Sequence, residues 1–283
     1  MATTSHPVRT RTVHEPPSGR IPAVGPYLRE VWERRSLVWH LARTDMKARH
    51  YDTILGKAWL ILDPIVMAAT FYLVRVVFQS GAQTDAGFYI SHIIMGVTFF
   101  FYVRAIVEGG SRCILGNKTL VLNTSAPRGV FPAVVLMRAV LELIPTMFVY
   151  FAVHWATGQP WGISLLLLPL VLVMLTAFAL GLGLFFAPLV VFYRDTGTLL
   201  PYVIRIWLYI TPVMYAVGEI PAAVKPILVL NPLYPFFYML EAIFKAQTPP
   251  LIYFVWSGAW ALGALVIGGV MFMRKEREYA VRL

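Results

Sequence analysis

The chain has 283 residues, 58% of them hydrophobic and only 13% charged, with a formal net charge of +10. A soluble domain carries roughly a quarter charged residues, so this composition excludes a single water-soluble core and points to lipid as the solvent, where each span needs roughly 20 mostly apolar residues. The positive balance then reads as the cytoplasmic bias of Lys and Arg in membrane proteins, not as a nucleic-acid-binding surface, and the single cysteine, Cys113, excludes an intramolecular disulfide.

Residues 1–26 are polar and Pro-rich and lack the apolar core of a secretory signal. They read as a disordered cytoplasmic tail. Residues 27–58 follow as an amphipathic interface helix, predicted over 27–52, with a short entrance loop behind it. Leu28, Val31, Trp32, Val38, Trp39, Ala42 and Met46 recur at three-, four- and seven-residue steps. Arg29, Arg34, Arg35, Arg43, Lys47 and Arg49 supply a basic face, and this pattern with Trp on the apolar side suits a helix lying in the membrane interface.

Residues 59–273 form a six-helix transmembrane domain, with apolar segments at 59–79, 88–108, 131–155, 163–192, 198–217 and 251–273. The fourth carries Ala177, Ala179, Gly181 and Gly183, small residues that let another helix approach closely. Residues 1–58 hold ten Lys and Arg; Arg112, Lys118 and Arg128 lie in the second connection, Arg194 in the fourth, and Arg274, Lys275, Arg277 and Arg282 in the tail, 274–283. The first and third connections have none and the long fifth has only Lys225 and Lys245, so the sides alternate and both termini are expected in the cytoplasm. The fifth connection, 218–250, is interrupted by Pro221, Pro226, Pro232, Pro235, Pro249 and Pro250 around two apolar stretches too short to span. It reads either as re-entrant outer helices or as packed external helices without a gating role.

No His, Cys, Asp or Glu set has metal spacing, no G-x-S-x-G is present, and the string Gly110 to Thr119 lacks the geometry of a phosphate-binding loop. A catalytic role is not expected. Charges within spans are costly. Arg104 with Glu108 and Arg138 with Glu142 are spaced to neutralise each other on one helix face. Arg205 has no local acid; it faces a watery passage or an acidic group such as a diphosphate, or it is bonded to backbone carbonyls or a neighbouring Glu. Aromatic residues in segments one and five (Phe71, Tyr72, Tyr202, Trp207, Tyr209 and Tyr215) offer flat apolar faces to sugar rings, or serve as ordinary packing and lipid-facing groups.

From Arg43-Thr-Asp45 through Lys47, Arg49, Tyr51, Leu55-Gly56 and Trp59 to Pro64, the chain resembles the ABC-2 type permeases that export polysaccharide. Ala126-Pro127-Arg128, Phe192-Tyr193-Arg194-Asp195, Thr211-Pro212-Val213-Met214-Tyr215 and Leu230-Asn231-Pro232-Leu233 are similar to further motifs of that family, in the same order. A departure is Met95-Gly96-Val97-Thr98-Phe99, where the family often has G-L-x-x-W.

The resemblance implies an all-α integral membrane protein with the ABC-2 exporter fold, working as a homodimer with two copies of an ABC ATPase in the bacterial cytoplasmic membrane. ATP and Mg²⁺ would bind the ATPase; this chain would hold no cofactor. Tyr193, Arg194 and Asp195, with Arg43 and Asp45, would dock on it. Arg49, Tyr51, Leu55 and Gly56 would form the entrance loop. Phe71, Tyr72, Tyr202, Arg205, Trp207, Tyr209 and Tyr215 would be channel-lining candidates, and Pro212, Asn231 and Pro232 part of an outer gate. The cargo would be a polyprenyl-diphosphate-linked polysaccharide of O-antigen, teichoic acid or galactan type; the dense Arg, Pro and Trp and the polar tail look more like a galactan exporter. The alternatives are a small-lipid or drug permease, which commonly lacks the Arg43–Tyr51 type of helix, and a membrane enzyme or scaffold of glycan assembly.

Overall fold

The computed structural model of the chain describes residues 23–50, 56–78, 86–124, 126–221 and 223–282. Among them every regular element is a helix. Helices α1 (Val24–Glu33) and α2 (Arg35–His50) occupy the stretch read as one amphipathic helix; they break at Arg34, whose N–H turns back to the carbonyls of Val31 and Trp32. α1 buries none of its residues and leaves Val24, Leu28 and Trp32 exposed. α2 instead presses Val38 and Ala42 onto Val130 and Val134.

The remaining helices are α3 (Trp59–Phe78), α4 (Ala86–Arg112), α5 (Lys118–Asn123), α6 (Val130–Ala156), α7 (Leu168–Phe192), α8 (Arg194–Ile210), α9 (Lys225–Val229), α10 (Tyr234–Phe244) and α11 (Leu251–Arg282). Among the described residues four helical stretches are long and apolar enough to cross a bilayer: Ala86–Arg112, Val130–Ala156, Ile163–Phe192 and Leu251–Glu276. α3 and α8, with 20 and 17 residues, were the other two spans read from the sequence.

α4 is the central pillar. Its buried face runs from Tyr89 to Ser111, and α3, α6, α7 and α8 pack around it. The small residues of α7 have the role expected of them. A methyl group on Gly181 would overlap the backbone of α11 at Ala264, and one on Gly268 would overlap the carbonyl of Gly181. Gly183 meets α4 in the same way, since a Cβ there would lie 3.0 Å from the Ile106 carbonyl oxygen.

α8 begins at Arg194, earlier than the expected 198, and ends at Ile210, because Thr211 turns extended ahead of Pro212. α11 continues as helix to Arg282, into the stretch read as a cytoplasmic tail, where no Gly or Pro interrupts it and Lys275 pairs with Glu278 at 2.8 Å. Within 218–250, α10 is buried along its length against α7 and α11. Nearby, His154 Nε2 donates to the Pro160 carbonyl at 3.2 Å, while Nδ1 accepts from Ser91 at 2.9 Å and Tyr150 at 3.1 Å.

Candidate functional site

The basic connections gather at one end of the bundle. α7 ends where Tyr193 adopts φ −128°, ψ 92°, and α8 restarts at Arg194 with Asp195 in its first turn, a placement favoured by the helix dipole. Tyr193 is 67% exposed, and Arg194 and Asp195 are exposed beside it. The elbow is braced from beneath. Arg112, at the end of α4, donates to the Gly197 carbonyl, and Lys275 and Arg282 of α11 stand 5.1 and 5.5 Å from the Phe192 ring. The motif is thus presented outward on a support drawn from α4 and α11.

A second feature at this end joins α1 and α11. Tyr27 accepts the Gly129 N–H at 2.7 Å, and Glu276 accepts the Arg128 N–H at 2.7 Å. Two successive amides at the start of α6 are therefore satisfied by side chains from α1 and α11, with the carboxylate at the positive end of α6. Burial, then the Glu276 charge, push the Tyr27 phenol upward in pKa, so it stays protonated.

Of the other docking candidates, Arg43 is exposed with its guanidinium 5.2 Å from the Trp39 ring. Asp45 lies 3.9 Å from the buried Arg138, which also faces Glu142 at 3.7 Å, so the acid ties α2 to α6. Of the entrance-loop candidates, Gly56 has φ +49°, a conformation glycine adopts without strain. Tyr51 and Leu55 lie outside the described residues, as does the Arg49 side chain.

The channel-lining candidates separate. On α8, Gly197, Leu200, Ile204 and Leu208 face the core, while Tyr202, Arg205 and Tyr209 share the exposed side, with Arg205 5.9 Å from the Tyr202 ring. Phe71 is buried in the core and Tyr72 packs against it. Trp207 turns inward and donates through Nε1 to Asn231 Oδ1 at 2.7 Å. Tyr215 is half-buried and its hydroxyl donates to the Ile210 carbonyl at 3.0 Å.

At the opposite end, Asn231 is a buried junction. It takes Trp207 and the Leu233 N–H on its oxygen and donates to Thr211 Oγ1 at 3.1 Å. Pro212 is buried and directly follows Thr211, to which Asn231 donates, and Pro232 directly follows Asn231. Glu241 is buried too; it accepts the Val217 N–H at 2.9 Å and pairs with Lys245 at 2.6 Å. His92, from α4, reaches the Tyr215 carbonyl at 3.2 Å. The braces formed by Tyr27, Arg112, Glu276 and Glu241 have partners far away along the chain, and no local pattern announces them.

The profile of the ABC-2 type transporter family matches residues 36–245. The chain belongs to this family. As an ABC-2 transporter chain with several apolar helices it is a multi-pass membrane protein. It is 24% identical over 225 residues to the O-antigen export system permease protein RfbA of Myxococcus xanthus, covering 79% of this chain and 85% of that protein. A protein of the same name from Klebsiella pneumoniae is 25% identical over 199 residues, 68% of this chain and 74% of that one. The elbow at Tyr193–Asp195 and the Asn231 junction fall inside the ABC-2 match; Tyr27 and Glu276 fall outside it.

Proposed function

We propose that this chain is the membrane subunit of an ATP-driven exporter of polyprenyl-diphosphate-linked polysaccharide in the bacterial cytoplasmic membrane. The observation that carries this reading is the similarity to O-antigen export permeases over 79% of the chain. α3 and α8 complete a set of six spans with the four long helices, and both termini are cytoplasmic. Two copies surround one channel, which α3 and α8 line, with Tyr202, Arg205 and Tyr209 facing the passage. A homodimer suits a polymer conduit, because one axis then serves two identical walls.

Two ABC ATPase chains bind ATP and Mg²⁺ and dock on Tyr193, Arg194 and Asp195, with Arg43 and Asp45 alongside. Closure of the ATPase pair pushes the elbow, and the braces from Arg112 and α11 pass that motion into the bundle. The loop at Arg49, Tyr51, Leu55 and Gly56 admits the lipid-linked end, and Pro212, Asn231 and Pro232 belong to the outer gate. Among the cargo classes, the dense Arg, Pro and Trp and the polar N-terminal stretch favour a galactan.

The test is co-expression of the tagged chain with the ABC ATPase encoded beside it, followed by native mass spectrometry of the detergent-solubilised assembly. Two copies of each subunit are expected. A chain that purifies without any ATPase contradicts the proposal.

A further inference from the structure

Two cavities meet along one face of α11. The larger, 670 Å³, lies where α7, α8, α11 and the 229–232 segment converge. Phe178, Leu182, Phe185, Trp207, Gly263 and Ile267 are among its walls. Trp207 already gives its indole N–H to Asn231, so its ring adds apolar surface. The second cavity, 500 Å³, is lined by Val266, Ile267, Val270, Met271, Arg274 and Lys275. Ile267 borders both. Gly263, Ile267, Val270 and Arg274 follow one another at steps of four, three and four, so they share one face of the helix. Together the cavities form an apolar trough that runs along α11 to a cationic end.

Two observations indicate that the trough holds something other than protein. Gly263 is the first. Gly181, Gly183 and Gly268 have a neighbouring backbone lying against them, but a Cβ added at Gly263 would meet nothing within 4 Å. Glycine weakens a helix interior relative to alanine, and here no helix contact accounts for it; the space belongs to the trough. Arg274 is the second. It is exposed and forms no hydrogen bond or ion pair among the described residues, whereas Lys275 is engaged with Glu278 at 2.8 Å and with the Phe192 ring. Among the described residues no carboxylate lines either cavity. From Arg274 to Gly263 the helix rises roughly 16 Å, close to the depth of one leaflet, half of a core about 30 Å thick.

We propose that the trough binds an anionic phospholipid of the leaflet at the basic end, with its phosphate at Arg274 and one acyl chain running past Val270 and Ile267 to Gly263. Charge complementarity selects the occupant. An unbroken apolar wall takes a hydrocarbon chain, and the free guanidinium at its end takes a phosphate through paired N–H donors. A zwitterionic lipid brings an ammonium that finds no carboxylate in the lining. An apolar helix of a second copy would cover the wall and leave Arg274 without a counter-charge. The inference uses only the membrane assignment of this ABC-2 chain and depends neither on the polymer nor on the ATPase.

The test is native mass spectrometry of the full-length chain, stripped of lipid in detergent and titrated with an equal mixture of phosphatidylglycerol and phosphatidylcholine of identical acyl chains. Preferential retention of phosphatidylglycerol is expected. Arg274→Gln reduces that preference about fivefold, the size expected for one cation facing an anionic lipid. Gly263→Leu places a side chain in the trough and lowers retention of phosphatidylglycerol by a similar factor. Gly269→Leu, also open at its would-be Cβ but lining neither cavity, retains phosphatidylglycerol as wild type does. Arg274 is exposed, so Arg274→Gln keeps the test decisive if Gly263→Leu unfolds. Equal retention of the two lipids by wild type, or a preference that Arg274→Gln leaves unchanged, overturns the proposal. A lipid-free dimer that Gly263→Leu splits assigns the trough to a second copy and overturns it as well. So does polyprenyl phosphate displacing phosphatidylglycerol one for one, which gives the trough to a carrier lipid.

Discussion

Glu276, near the end of α11, accepts the backbone N–H of Arg128 at 2.7 Å. The adjacent amide of Gly129 is taken by Tyr27 at the same distance. α1 and α11 thus close on the start of α6, where free amides need partners. Glu276→Ala leaves the Arg128 amide unpaired and is expected to lower stability by roughly 1–2 kcal/mol. Tyr27→Phe does the same to the Gly129 amide, and the double variant falls short of the sum because both act on one junction. Thermal unfolding in detergent checks all three; melting temperatures equal to wild type would remove the clasp as a stabilising feature.

The clasp also has a pH signature. The Tyr27 phenol is pushed above its ordinary value of 10.0, first by burial and then by the Glu276 charge. A raised pKa leaves the contribution of this group fully present below the unfolded value and removes it as pH climbs from there through the folded value. Melting temperature should therefore show no Tyr27-dependent change between about pH 6 and 9, with the gap between wild type and Tyr27→Phe narrowing only above about pH 10. A gap that narrows near neutrality contradicts this assignment.

Gly268 of α11 and Gly181 of α7 meet backbone against backbone, with no space for a side chain on Gly268. Gly268→Val must push the two helices apart and is expected to cost about 3 kcal/mol, at the upper range for overpacking. Gly269, with open space around its would-be Cβ, is the control. Fluorescence-detected size exclusion should show a loss of monodisperse protein for Gly268→Val and little change for Gly269→Ala.

The small-residue pattern in α7 was legible because close helix crossing is written in the residues that make it. The grouping of the basic connections was legible for a similar reason: Lys and Arg recur at alternate connections, and the contacts of Arg112 with Gly197 and of Glu276 with Arg128 bring them together. The break at Arg34 was not, since the apolar period continues from Leu28 through Val38 and a one-residue kink leaves it intact. The helical continuation of α11 to Arg282 was not legible, because the charge after Arg274 signals exit from lipid and says nothing about exit from helix. The inward turn of Trp207 was hidden for another reason. Its partner Asn231 lies beyond three prolines, and only the folded 211–233 segment brings them together.

Asn231 satisfies Trp207, Thr211 and the Leu233 amide at once. Asn231→Ala leaves the indole N–H and that amide without acceptors and is expected to destabilise the chain by roughly 2–3 kcal/mol. Asn231→Asp keeps the acceptors but replaces the donations to Thr211 Oγ1 and the Ile210 carbonyl with a buried carboxylate oxygen, so it too should unfold below wild type in a thermal melt.

Arg194 and Asp195 are exposed on a braced elbow and bury no part of the core. Arg194→Ala and Asp195→Ala should leave folding and melting temperature near wild type, within about 0.5 kcal/mol, while ATP hydrolysis by the assembled transporter no longer drives export. Parallel assays of ATPase rate and export separate the two activities; full export by both variants refutes the docking role.

The most direct measurement is ATP-dependent movement of a lipid-linked polysaccharide by the reconstituted assembly. Inside-out proteoliposomes holding this chain and its ABC ATPase would be supplied with a polyprenyl-diphosphate-linked glycan on the outer surface. Protection of the glycan from an added glycosidase is expected with ATP, absent with a non-hydrolysable analogue, and absent for Asp195→Ala. Glycan that remains fully digestible with ATP, in an assembly that hydrolyses ATP and moves a short-chain lipid instead, would contradict the assignment of this ABC-2 chain to polysaccharide export.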